Sequence, residues 1–130
     1  KLLSFLITSF KVFRESYNLY AVHATLFNHE GLKRGEEFVT RKITKGVAKA
    51  REEFFDTSKW IDGLPPKVTP IELGNLDSKR DWGYADDYVD AMWRIIKHGN
   101  HFDYVIGTGK TYTIKQFIEM CLEFLNIKYE

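Results

Sequence analysis

Residues 26–42, LFNHEGLKRGEEFVTRK, crowd directional hydrogen-bonding side chains behind an apolar run that stops at Phe27. They are Asn28, His29, Glu30, Lys33, Arg34, Glu36, Glu37, Arg41 and Lys42. The chemistry this set allows is recognition of an anion. Arg34 offers a planar fork matched to phosphate oxygens, and Lys42 a mobile point charge. Thr40 to Lys42 fall in the first turn of the helix that follows, where free N–H groups and the dipole also favour anions. Asn28 and His29 stand at the carboxyl end of a strand, where ligands of open α/β sheets bind. Asn28, Arg34 and Lys42 together point to a phosphorylated ligand. The plainer reading, a solvated loop with helix-end charges, uses the same residue types.

A second polar cluster, LGNLDSKRDWGYADDYVDAM at 73–92, again follows a short strand. Arg80 and Trp82 are expected in a loop before a helix. A base could stack on either, and the guanidinium could hold a second phosphate. The plainer reading pairs Asp81 with Arg80.

Other motifs fail on spacing. GTGKT at 107–111 resembles a phosphate-binding loop, but that motif needs Gly at 104, where Tyr104 stands. A His-Glu metalloprotease helix at His29-Glu30 would need its second His at 33, which is Lys33, so no metal site is assigned. Cys121 lies on the core face of a helix and reads as a small hydrophobe. His23 reads as packed within a strand, and His98 and His101 as a solvated helix exit.

The elements that must position these residues alternate in type. Leu3, Leu6, Ile7, Phe10, Phe13 and Tyr17 recur at helical spacing, and this helix ends near Asn18. Tyr20 to Phe27 reads as a strand buried on both faces in a parallel sheet. Phe38 to about Phe55 reads as a helix with Val39, Ile43 and Val47 inward. The turn-rich segment 56–67 reads as surface, and Val68 to Leu73 as a short strand. Asp86 to Lys97 reads as a helix whose apolar stripe is Val89, Met92, Trp93 and Ile96. Phe102 to Ile106 reads as a strand. Thr113 and Gln116 form a capping box for a last helix with Phe117, Ile118, Cys121, Leu122 and Leu125 inward. Strands alternating with helices make an α/β architecture.

The chain has 130 residues, 44% of them hydrophobic and 15% aromatic, enough for one packed domain. A net charge of +1 gives no general electrostatic case for nucleic acid or a membrane. One cysteine excludes an internal disulfide, and a cytoplasmic location fits that best. No apolar run is long enough to span a bilayer. Both ends read as internal to a longer protein: helical periodicity begins at once, and Ile127-Lys128-Tyr129 reads as the start of a strand.

Three stretches, LFNHE, KRGEEFVTRKI and LGNLDSKRDWGYADDYV, resemble in order those of GDP-mannose 4,6-dehydratases, of the extended short-chain dehydrogenase/reductase family. FDYVIGTGKTYTIKQFIE resembles the same family's strand, turn and helix, which accounts for the apparent phosphate loop. The resemblance runs from about Arg14 to Leu125, broken by a segment around 52–67 that is longer than the family's. It implies a Rossmann-like fold of parallel strands with helices. Residues 1–130 would be the carboxyl-side part of one domain, whose Gly-rich nucleotide-binding half is absent.

By position, the resemblance implies cofactor contacts to NADP from His29 and Arg34. It implies sugar-nucleotide contacts from Asn28, Val39, Thr40, Lys42, Asn75 and Arg80. The implied reaction converts GDP-mannose to its 4-keto-6-deoxy product, with hydride removed and returned through NADP. The family's Thr and Glu acid–base pair and its Tyr are absent, and Leu3 stands where its Lys belongs, so no catalytic residue is assigned and this chain alone is expected to be inactive. Leu32 and Lys33 replace an expected Pro and Arg in a loop the family uses between subunits; a homo-oligomer is expected at full length. The alternatives are a reductase or epimerase for another GDP-sugar, and a binding or assembly module without chemistry.

Overall fold

A computed structural model describes residues 2–100 and 103–127. The expectations for the Leu3 and Leu6 side chains, His101, Phe102 and Lys128-Tyr129 lie outside what is described. The elements are α1 (Leu2–Tyr17), β1 (Ala24–Leu26), β2 (Asn28–Glu30), α2 (Val39–Phe55), β3 (Lys79–Arg80), β4 (Trp82–Tyr84), α3 (Ala85–His98), β5 (Tyr104–Ile106), β6 (Tyr112–Thr113) and α4 (Ile114–Phe124). They divide between two compact units, one of Lys1–Gly31 with Asp81–Lys110, the other of Leu32–Arg80 with Thr111–Glu130.

In the first unit α1 stops where Asn18 takes a left-handed conformation at φ 50°, as its side chain tolerates. Arg14 ties that helix to the segments that lead into β1 and β5, donating to the Ala21 carbonyl at 3.2 Å and to Asp103 at 3.5 Å. β1 pairs parallel with β5, Ala24 opposite Tyr104. The ladder is prolonged by the Phe27 N–H to the Ile106 carbonyl, 2.9 Å, and the Tyr104 N–H to the His23 carbonyl, 2.9 Å. β2 pairs parallel with β4, His29 opposite Gly83. α3 carries Asp86 and Asp87 in its first turn, Lys97 and His98 in its last, and ends on Gly99 at φ 75°.

In the second unit α2 and α4 pack on one another around Ile43, Val47 and Ile114, with Ile43 fully buried. Burying each such side chain contributes roughly 1.5–3 kcal/mol. α4 opens with the expected capping box, Thr113 Oγ1 accepting from the Gln116 N–H at 3.0 Å and Gln116 Oε1 accepting from the Thr113 N–H at 2.8 Å. β3 pairs antiparallel with β6. Residues 57–64 are exposed; Ile61 and Leu64 bridge across a turn whose Asp62 and Gly63 both have positive φ.

Four expectations change. Asn28 and His29 do follow the carboxyl end of β1, but they also form a strand of their own, β2, with its own partner in β4. Arg80 and Trp82 lie in β3 and β4, not in a loop. Val68–Leu73 forms no strand with any described residue; Pro70 has no N–H for a ladder, and Ile71 packs instead on Gly46 of α2. On α3 the buried residue is Tyr88, while Val89, Trp93 and Ile96 are exposed, so the protected face is turned from the apolar stripe.

Candidate functional site

In the first unit, β2 presents Asn28 exposed and His29 half-buried. His29 Nδ1 lies 2.9 Å from the Phe27 carbonyl. Its ring lies against the Tyr88 ring, centroids 5.0 Å apart. Gly83 makes this possible: a Cβ there would stand 2.4 Å from Tyr88 Cε2. Trp82 is half-buried in β4, opposite Asn28.

Asp81 is 7% exposed and belongs to the same unit. Its carboxylate accepts from the Thr108 N–H at 3.1 Å, the Thr108 hydroxyl at 2.7 Å and the Gly109 N–H at 2.9 Å. Burial pushes this carboxyl up, but the bonds from Thr108 and Gly109 outweigh it and hold the group below its ordinary value. The expected Asp81–Arg80 pair does not form. Backbone donors of the kind a phosphate loop offers to a ligand are engaged in this turn by Asp81.

In the second unit the Arg34 guanidinium stacks over the Phe38 ring, 3.4 Å from its centroid. A ring this close beneath the guanidinium restricts how its N–H edge can turn. Val39 is half-buried and Thr40 is 5% exposed, whereas Lys42 is exposed. Lys42 borders a groove of about 410 Å³ with Lys45, Lys49, Gly46 and the segment Thr69–Glu72. Lys45 is paired with Glu36 at 2.7 Å and Lys49 with Glu53 at 3.6 Å, and Lys45 holds the Glu36 carboxyl below its usual value. Lys42 has no carboxylate partner among the described residues. Arg80 is exposed, and its guanidinium donates to the Lys79 carbonyl at 2.7 Å. Asn75 is occupied locally: its Oδ1 accepts from the Asp77 N–H at 2.9 Å, closing a turn.

Burial pushes the Cys121 thiol up, which keeps it protonated and inert. No group of three metal-ligating side chains occurs among the described residues, and no described helix is long and apolar enough to cross a membrane.

The sequence pattern described as GDP-mannose 4,6 dehydratase matches residues 1–130, the whole chain. The chain belongs to the GDP-mannose 4,6-dehydratase family. It is similar to the GDP-mannose 4,6 dehydratase of Drosophila melanogaster, 46% identical over 114 residues that cover 88% of this chain and 26% of that protein. It is similar to that of Homo sapiens at 44% over 115 residues, 88% of this chain and 27% of that protein. The chain thus spans about a quarter of the length of these relatives. Among solved structures, RMD from Pseudomonas aeruginosa complexed with NADPH superposes with a TM-score of 0.76 at 19% identity, over 95% of this chain and 38% of that one. The fold is accordingly part of the Rossmann-like extended short-chain dehydrogenase/reductase fold.

Within this GDP-mannose 4,6-dehydratase family chain, the residues singled out by sequence fall in both units. Asn28 and His29 share β2 in the first. Arg34, Val39, Thr40, Lys42, Asn75 and Arg80 belong to the second. Sequence reasoning missed Tyr88, hidden among the aromatics of an amphipathic helix. It also missed the anchoring role of Asp81. The signal for the latter was there in an Asp followed far downstream by Gly-Thr-Gly, a turn with unpaired N–H groups.

Proposed function

We propose that this chain is the carboxyl-side part of an NADP-dependent enzyme that dehydrates a GDP-hexose, GDP-mannose to GDP-4-keto-6-deoxymannose. In this reading Lys42 and Arg80, with Val39 and Asn75 beside them in sequence, hold the GDP portion, and Asn28 lies by the sugar diphosphate. His29 and Arg34 hold NADP. The cofactor takes hydride from the sugar and returns it; this chain's residues bind and orient. The observation that carries the reading is the state of the two cations: Lys42 and Arg80 have no carboxylate partner among the described residues, while the adjacent Lys45 and Lys49 are paired. Cations left without countercharge suit a diphosphate. The relatives named for GDP-mannose dehydration support the substrate, and the NADPH-bound neighbour supports the cofactor.

The test is calorimetric titration of GDP and NADP into the full-length protein and its Lys42→Ala and Arg80→Ala variants. GDP affinity is expected to fall in both while NADP affinity stays. Because the nucleotide is remote from the reacting carbons, the apparent Michaelis constant should rise more than turnover falls. Unchanged GDP affinity in both variants returns these residues to solvated surface charges.

A further inference from the structure

His29 is held from two sides within the first unit. A carbonyl oxygen only accepts, so the 2.9 Å contact to Phe27 places a proton on Nδ1. In the neutral ring the other nitrogen, Nε2, is then an acceptor, and it has no hydrogen-bond partner among the described residues. The ring face rests on Tyr88, which is 3% exposed. Tyr88 reaches it because His29 pairs across the ladder with Gly83, whose missing side chain makes room for the tyrosine ring. The Tyr88 hydroxyl is buried without a hydrogen-bond partner among the described residues, so what the position supplies is the ring, not the oxygen.

We propose that Tyr88 is a positioning residue that fixes His29 as a hydrogen-bond acceptor, so that Nε2 meets a neutral N–H or O–H donor of the cofactor and not a phosphate oxygen. The inference rests on the proposed contact of His29 with NADP. It deepens that contact by naming its polarity. A phosphate would need a donor from Nε2, which the neutral tautomer lacks and only the doubly protonated ring supplies. An amide or a ribose hydroxyl is the matching chemistry. Tyr88 contributes by shape: a flat ring wedged over Gly83 leaves the imidazole one orientation.

The experiment is NADP titration into the full-length protein, with GDP titrated in parallel as the check on folding. His29→Ala should weaken NADP about tenfold, the size of one ordinary hydrogen bond. His29→Lys should bind no better than His29→Ala, because an ammonium only donates; binding restored by the lysine would overturn the proposal in favour of a phosphate contact. The 3-acetylpyridine analogue of NADP lacks the amide N–H, so equal affinity of wild type for it and for NADP identifies a ribose hydroxyl as the donor, and a loss that vanishes in His29→Ala identifies the amide. Tyr88→Phe should leave affinity unchanged. Tyr88→Leu should weaken NADP in the wild-type background and not in His29→Ala; equal weakening in both backgrounds overturns the positioning role. If His29→Ala leaves NADP affinity untouched, it is the underlying contact that fails.

Discussion

Thr108 gives Asp81 two hydrogen bonds, one from its N–H at 3.1 Å and one from its hydroxyl at 2.7 Å. Gly109 adds a third at 2.9 Å. The turn GTGKT is therefore built around an internal anion. Its resemblance to a phosphate loop is more than an accident of letters, because the same backbone donors are displayed, but the charge they receive belongs to the protein. Gly107 is required at its start: a Cβ there would lie 2.5 Å from the Phe27 ring.

Asp81→Asn should destabilise the first unit, since an amide cannot accept all three bonds and turns an N–H toward a donor. The pH dependence follows from the depressed carboxyl. Its folded value lies below the ordinary 3.8, so the native state binds fewer protons than the unfolded chain in that interval. The stabilisation is complete above the unfolded value and is lost as pH falls through the folded one. Urea midpoints of wild type and variant should differ by a constant amount above about pH 5, and converge below 3.8. A gap that persists unchanged into strong acid would contradict this.

Gly46→Ala tests the wall of the lysine groove. In an ordinary helix interior this change stabilises by roughly 0.5–1 kcal/mol. At this position the new Cβ would stand 2.4 Å from Ile71 Cδ1 and 2.6 Å from Cγ1. The segment 69–72 must move, and overpacking of that kind costs about 1–3 kcal/mol. The net expectation is destabilisation by denaturant unfolding, with GDP affinity lowered because Thr69–Glu72 border the groove.

Thr113→Ala should cost about 1 kcal/mol through loss of the helix cap. Gln116→Ala should cost less, since it removes only the reciprocal bond to the Thr113 N–H. The unfolding midpoints of the two variants, measured side by side, check the order.

What was legible in the sequence had a local cause. Asn18 could be read as a helix end because a single residue's tolerance of positive φ decides it, and Thr113 with Gln116 because a cap spans only four residues. α2 and α3 were readable to within a residue from their periodicity. β2, β3 and β4 were not, because strands of two or three residues carry no alternation and exist through partners far away, His29 with Gly83 and Lys79 with Thr113. The exposure of Val89, Trp93 and Ile96 was also invisible: composition gives a helix two apolar sides, and only packing says which is covered. The site residues could be named through family motifs, but their surroundings, Phe38 under Arg34 and Tyr88 beside His29, could not.

That stack under Arg34 carries the last expectation. If Arg34 grips a phosphate of NADP, Arg34→Ala in the full-length protein should cost roughly 1.5–3 kcal/mol of cofactor binding, the range for hydrogen bonds to a charged group. Arg34→Lys should restore only part, because the bidentate fork is lost. The structure adds a third variant. The Phe38 ring centroid lies 3.4 Å from the guanidinium carbon, so Phe38→Leu keeps an apolar residue while removing the ring face beneath it. It should weaken NADP by about 0.5–1 kcal/mol, the worth of such a contact near the surface. Phe38→Tyr should be neutral. In an Arg34→Ala background Phe38→Leu should have no further effect on NADP, since its influence runs through the arginine. Calorimetric titration of NADP into wild type, the two single variants and the double variant gives the coupling directly. A Phe38→Leu loss that persists without Arg34 would show that the ring acts on the fold, not on the orientation of the guanidinium.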